Sequence, residues 1–260
     1  MIALAVSIFG IWNAFHPEVK NLEVKLKNLP LEWQGKIIVH LSDVHLGQIH
    51  GVSFLQDVVA KTNAQNPELV LITGDLFDGM DGDLGLFIEL LKSIKAKQGV
   101  YFSTGNHETY LGLAETVKAL EQADIKILDN EMVNLGGLQI IGISYPNNSK
   151  TSVVGATKNL VEIIAEIKNY DASQSSILMH HAPTDTAQAK KLGINLQLSG
   201  HSHVGQVWPF SYITRAIYGK YYYGLNSEGD YSIYTSSGVG TWGPPIRLGN
   251  TPEIVVFRIR

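Results

Sequence analysis

The sequence predicts an α/β fold in which two mixed sheets pack face to face and helices cover their outer surfaces. Short apolar, β-branched runs alternate with helical stripes along the whole chain, as crossovers between parallel strands require. No linker, repeat or low-complexity stretch divides the 260 residues, of which 45% are hydrophobic, so one large core is expected. Successive runs also stop at Asp, Asn or His, and ligands of parallel sheets gather at those carboxyl ends.

The elements follow in chain order. Met1 to Phe15 is apolar and carries no charged side chain. A bilayer span needs roughly 20 such residues, and a signal peptide would open on a basic stretch that is absent here. The segment therefore reads as a short membrane anchor, the remnant of a longer span, or a helix packed on the domain. Residues 1–20 form this N-terminal segment and residues 21–260 the folded domain. Lys20, Lys25 and Lys27 follow it directly, which by the positive-inside rule favours a membrane-associated chain with its domain on the cytoplasmic face.

Leu22 to Leu29 alternates apolar and polar residues like a half-buried strand, and Ile37 to Leu41 is a buried strand ending at Ser42-Asp43. Phe54 to Ala64 and Leu84 to Ile94 have helical spacing; between them Leu69 to Thr73 is a strand ending at Gly74-Asp75. Val100 to Ser103 is a third buried strand, ending at Gly105-Asn106-His107. Met132 to Leu135 and Leu138 to Ile143 flank Gly136-Gly137 as a hairpin. Leu160 to Ile167 is helical, Ile177 to Met179 is a strand ending at His180-His181, and Leu196 to Leu198 is one ending at Gly200-His201. Tyr231 to Thr235 and Ile254 to Ile259 are the last strands.

Seven of the nine histidines fall in or beside five clusters: Asp43-x-His45, Gly74-Asp75, Gly105-Asn106-His107-Glu108, His180-His181 and Gly200-His201-x-His203. Residues two apart on a strand point the same way, so Asp43 and His45 are expected to reach one ion, while His201 and His203, with the same spacing, supply two imidazoles. Carboxylate with imidazole suits Zn, Mn or Fe. Asp75, with two oxygens, could bridge two ions, and Asn106 offers an amide oxygen. A two-metal site would clamp a phosphate and activate water. His107, next to a ligand without needing to be one, is placed to assist the leaving group, with Glu108 fixing its tautomer. Alternation puts His180 and His181 on opposite faces of their strand. Taken singly, Asp-x-His and Gly-Asp are common turn sequences; their joint occurrence at successive strand ends is not.

These five clusters, in this order, resemble the calcineurin-like metallophosphoesterase superfamily over roughly Leu22 to Arg260. The resemblance implies a four-layer α-β-β-α sandwich and makes residues 21–260 a metallophosphoesterase catalytic domain. It also implies that Asp43, His45, Asp75 and His203 hold one metal, and that Asp75 bridges to a second completed by Asn106, a strand-end histidine and His201. The family's His-x-Pro pattern fits His181-Ala182-Pro183 and leaves His180 behind the ligands. Leu196 to Ile217 and Thr235 to Arg247 are further similar to the membrane-anchored bacterial YkuE-like branch, in which transmembrane helices precede the catalytic domain. This chain departs from that pattern in lacking the earlier helices.

A formal net charge of -4 gives no electrostatic footprint for nucleic acid, and the absence of cysteine excludes thiolate ligands and disulfides. The expected partners are a phosphoester substrate and a membrane or lipid. The aromatic stretch from Trp208 to Tyr223 reads either as a lid over a lipid-bearing substrate, with Tyr222 in contact, or as a packed cap. Arg247 could offer its fork to a substrate phosphate or tie its loop to the sheet; Asp78 and Asp81 read as solvated turn residues or head-group contacts. The reading is a hydrolase that uses two divalent ions, Mn favoured, and acts as a phosphodiesterase or pyrophosphatase. Its rivals are a protein or nucleotide phosphatase on the same scaffold and a non-catalytic, membrane-associated metal-binding protein.

Overall fold

A computed structural model describes residues 1–79, 83–145 and 158–260; Asp81 lies outside them. In chain order the main elements are α1 (Ile2–Ala14), β1 (Glu18–Val24), β2 (Ile37–Leu41), α2 (Val52–Ala64), β3 (Leu69–Thr73), α3 (Gly85–Lys92) and β4 (Val100–Ser103). They continue with α4 (Asn106–Leu111), α5 (Leu113–Gln122), β5 (Lys126–Ile127), β6 (Glu131–Leu135), β7 (Leu138–Ile143), α6 (Leu160–Glu166) and β8 (Ser175–His180). The chain closes with α7 (Thr186–Lys191), β9 (Leu196–Ser199), α8 (Ser211–Tyr218), β10 (Gly224–Glu228), β11 (Tyr231–Thr235) and β12 (Glu253–Ile259).

The strands form two six-stranded sheets, ordered β1-β12-β2-β3-β4-β5 and β10-β11-β9-β8-β7-β6. Each is parallel at its centre and carries antiparallel pairs, β12 with β2 in the first and β10 with β11 and β6 with β7 in the second. The strand alternation sorts three cores. Ile38, Leu69, Leu71 and Tyr101 meet Ile140, Ile177, Met179 and Leu198 between the sheets. Val39, Val70, Ile72 and Phe102 turn the other way, onto Leu55, Val58 and Phe87 of α2 and α3 and Leu120 of α5. Ile141, Leu178 and Ile233 pack on Leu160 and Ile164 of α6 and Ala189 of α7. Helix, sheet, sheet, helix is therefore the layering, because central strands buried on both faces need cover on both.

Two expectations are corrected. The first strand runs Glu18–Val24 rather than Leu22 to Leu29, pairing in parallel with β12 from Glu18↔Glu253 to Val24↔Ile259. The alternating stretch was read too far along because an edge strand keeps one polar face whichever way its ends are set. Residues 18–20 consequently belong to the first sheet. The N-terminal helix α1 buries Gly10, Asn13 and Ala14 against the body and leaves Ile2, Leu4, Val6, Ile8, Phe9, Ile11 and Trp12 exposed. Among the described residues, no helix is long and apolar enough to cross a membrane.

Candidate metal centre

The carboxyl ends of β2, β3 and β4 in one sheet and β8 and β9 in the other open onto the same place, and the predicted side chains meet there. Asp43 and His45 lie beyond β2 in a turn where both take left-handed backbone (φ 53° and 52°), so they are not strand neighbours on one face as expected. The turn brings them to one point all the same: His45 Nε2 stands 3.0 Å from His203 Nε2, and His203 Nε2 stands 3.4 Å from Asp43 Oδ1. Asp75, His201 and His203 are also left-handed. Such conformations cost about 1–3 kcal/mol each in a residue with a side chain and persist where the surroundings impose them.

The glycines before these residues are required by close approach. A Cβ on Gly74 (φ +75°) would lie 2.5 Å from the Gly105 nitrogen and 2.7 Å from His181 Nδ1; one on Gly200 would collide with Asp43 Oδ2 and Ser42 Oγ.

Two ligand sets result. Asp43, His45 and His203 form one and Asp75, His181 and His201 the other; within each set one candidate ligand atom per residue lies within 4.8 Å of the rest. They meet at a single carboxylate oxygen. Asp75 Oδ1 accepts the His107 backbone N–H at 2.9 Å, while Oδ2 lies 3.1 Å from His181 Nε2 and 4.0 Å from His45 Nε2. Both ligand sets thus face the same Asp75 oxygen. Asn106 Oδ1 joins the second set, 3.2 Å from His181 Nε2, and His201 Nδ1 lies 3.2 Å from the same nitrogen. His181 Nδ1 donates to the Thr73 carbonyl at 2.8 Å, which leaves Nε2 as the nitrogen facing inward. Ring nitrogens that converge on buried carboxylate and amide oxygens suit borderline divalent cations better than they suit one another.

The electrostatics agree. Burial opposes ionisation of Asp43 and Asp75, yet the surrounding imidazoles hold Asp43 well below the carboxylate range and His181 brings Asp75 down to about 2. His181 is disfavoured as a cation by burial, but the Asp75 and Asp43 charges raise it to about 10. Burial lowers His201 and His203 to about 4, leaving both neutral near pH 7. A proton on His181 is therefore what a cation would displace.

Other predicted residues do different work from that expected. Glu108 does not orient His107: its fully buried carboxylate accepts backbone N–H groups of Asp75 (3.0 Å), Leu76 (2.9 Å) and Gly105 (2.7 Å), tying the loops after β3 and β4 together. Burial and the Asp75 charge push it up to about 7. The His107 ring is set instead by the Asp78 carbonyl, which accepts from Nδ1 at 2.6 Å and leaves Nε2 free. Asp78 is no solvated turn residue, since its Oδ1 lies 3.5 Å from His45 Nδ1 and it groups with His45 and His107. The signal for it was its place three residues after Asp75 in the same strand-end loop. His180 belongs to neither ligand set, pairs with Asp185 at 3.0 Å and lines, with Tyr145 and Tyr218, a second cavity that also reaches His201.

Arg247 is completely buried and faces no substrate; Nη2 donates to the Ser237 and Gly240 carbonyls at 2.6 and 2.5 Å and stands 3.0 Å from His203 Nδ1. Its loop role is the one realised. Tyr222 does not reach the metal-centre cavity; its carbonyl accepts from Ser202 Oγ, and its neighbours Tyr221 and Tyr223 are tied to Glu228 and Glu253.

The calcineurin-like phosphoesterase family model matches residues 37–205, from the first strand of the centre through both His201 and His203. The chain belongs to this family. An uncharacterized metallophosphoesterase of Campylobacter jejuni is 33% identical over 266 residues, covering 99% of this chain and 68% of that relative. A Danio rerio protein described as a transmembrane protein with metallophosphoesterase domain is 28% identical, covering 98% of this chain and 60% of its own length. The uncharacterized metallophosphoesterase YkuE of Bacillus subtilis is 30% identical, with coverage of 91% and 83%. The phosphoesterase is accordingly a metal-dependent hydrolase of phosphoesters, and its Asp and His side chains are positioned for a metal centre.

Proposed function

We propose that this phosphoesterase is a dinuclear phosphodiesterase working at a membrane surface, with Asp43, His45, Asp75 and His203 holding one divalent cation and Asp75, Asn106, His181 and His201 the other. The observation that carries the reading is Asp75 Oδ2, one oxygen faced by an imidazole from each set. Manganese is the favoured ion among those this donor set accepts. When bound, a pair of such cations supplies Lewis acidity toward a phosphoryl group and toward water. The chain's own residues supply the rest. Glu108 holds the Asp75 backbone N–H, the His107 backbone N–H fixes the Asp75 carboxylate, and the Asp78 carbonyl fixes the His107 ring.

Hydrolysis adds water across the P–O bond: the hydroxyl goes to phosphorus, His107 Nε2 is placed to pass a proton to the leaving oxygen, and the proton released by the water restores that nitrogen. A diester is favoured over a monoester because the cavity of about 620 Å³ above the centre extends well past the space one phosphoryl group fills. Membrane association rests on α1, whose exposed apolar residues have no partner in the fold, and on the Danio rerio relative's description as a transmembrane protein.

The test is hydrolysis of a small aryl phosphodiester by the purified chain, stripped with a chelator and reloaded with Mn²⁺, alongside metal analysis. Two ions per chain and activity restored by reloading are expected. Full turnover by the stripped protein, or by His107→Ala, contradicts the roles assigned here.

A further inference from the structure

The cavity over the metal centre has two kinds of wall. Its floor holds His45, Asp75, Asn106, His107, His201 and His203. Its far side is built by Val207, Phe210 and Ile213 on the α8 side and by Trp242, Pro244 and Ile246 on the late loop. Tyr110 and Ser202 stand between floor and far side, Ser202 Oγ donating to the Tyr222 carbonyl, and on the far wall Gln206 and Thr214 are already engaged. Gln206 gives its amide N–H groups to the Trp242 and Pro244 carbonyls (2.9 and 3.1 Å) and its oxygen to the Trp242 N–H (2.9 Å). Thr214 Oγ1 donates to the Ser211 carbonyl at 3.0 Å.

Among the described residues no lysine or arginine lines the cavity, so its far wall offers no cation to a polyphosphate. The rim is open and apolar as well: Phe210, Ile213 and Trp242 are each more than half exposed. Ile246 is shared with the N-terminal helix, for a Cβ on Gly10 would lie 2.7 Å from its Cγ1. The buried face of α1 at Gly10 therefore abuts Ile246, a residue of the groove's wall.

We propose that this groove is the subsite for the hydrocarbon chain of a phosphoester lipid, which holds its phosphate at the centre while the chain leaves past Ile213, Trp242 and Ile246 toward the surface on which α1 lies. The proposal rests on the metal-centred reading above and names its substrate class. Qualitatively, each methylene seated against the wall leaves water, and the gain should stop when the groove is full.

The experiment is calorimetric titration of the Mn-loaded full chain with n-alkyl phosphonates from methyl to decyl, which bind without being cleaved. Affinity should rise about three- to fourfold per methylene over the first several carbons and then level off. In Ile213→Asn and Trp242→Ser, both changed at exposed positions, the decyl-to-methyl affinity ratio should fall by about tenfold or more. A flat series in the unmodified protein overturns the proposal. So does a slope that both variants retain, since the chain would then be resting on α1 or elsewhere. Failure of the metal-centred reading shows separately, as turnover of the aryl diester that survives chelation.

Discussion

The floor and the rim of one cavity are built on opposite terms. The side chains of the floor are buried or half-buried and several are held by a second group: Asp75 by the His107 N–H, His107 by Asp78 and His203 beside Arg247, with His181 behind them held by Thr73. The rim is exposed, and its polar neighbours are spent on its own backbone. Chemistry demands the first arrangement, because ligand atoms must hold their positions to a fraction of an ångström while like charges crowd. A surface that selects only for apolarity tolerates the second. Substitutions in the floor should therefore act through geometry and charge even when conservative, while those at the rim should act through polarity.

The largest break is expected at Asp75. Asp75→Asn keeps an acceptor for the His107 N–H but withdraws the charge that both ligand sets face. Turnover of an aryl phosphodiester should drop by about 10³-fold or more, and plasma emission analysis should find fewer than two ions per chain. Retention of both ions with activity within tenfold would remove the bridging role. Next comes Glu108→Ala, which strands the buried N–H groups of Asp75, Leu76 and Gly105. At about 1–3 kcal/mol for each unpaired group, a urea unfolding series should show a loss of about 3–5 kcal/mol. A loss under about 1 kcal/mol would mean that water replaces the carboxylate.

That comparison also explains what could be read in advance. The central strands were legible because burial on both faces makes them continuous apolar runs, and the floor residues because each run stops at a residue with chemistry. Backbone conformation was not legible. Asp43 and His45 converge through left-handed turns that neither residue type announces, so the face-sharing rule reached the right pair for the wrong geometric reason. Supporting contacts were hidden as well, since Glu108 bonds to backbone and Asp78 acts partly through its carbonyl. The rim depends on which way α8 and the loop around Trp242 fold, and so the tyrosines at 221–223 drew notice that belongs to Phe210 and Ile213.

Metal loading should be sharpened by pH. Without cations, His181 is held up at about 10 while Asp75 lies at about 2 and His201 and His203 at about 4. Between pH 6 and pH 8 the last three are already in their ligating forms, so they release no proton there. His181 is protonated throughout that range and must give up one proton to bind. Apparent affinity should therefore rise with pH, by about tenfold per unit at most from this group. Titrations in buffers of different ionisation enthalpy count the protons, and a pH-independent affinity would mean that His181 does not ligate.

The smallest effect is expected where floor and rim share a segment. Ile246 lines the groove, Arg247 reaches His203, and the Arg247 N–H donates to the Gly10 carbonyl at 2.9 Å, so α1 leans on the loop that serves both regions. Gly10→Val would drive a side chain into Ile246 and Leu248. Asn13 also donates to the Arg247 and Asn250 carbonyls at 3.2 and 2.9 Å, but the first two turns of α1 are exposed, so the helix can tilt away from the loop at a cost of about 1–2 kcal/mol. The Arg247 guanidinium should stay in place, since the Ser237 and Gly240 carbonyls and the Asn250 side chain hold it, and Asn13 still ties the backbone of Arg247 and Asn250. Mn²⁺ affinity should accordingly change by less than about threefold. A loss of tenfold or more would mean that α1 docking is transmitted through Arg247 to His203, and that floor and rim are not independent after all.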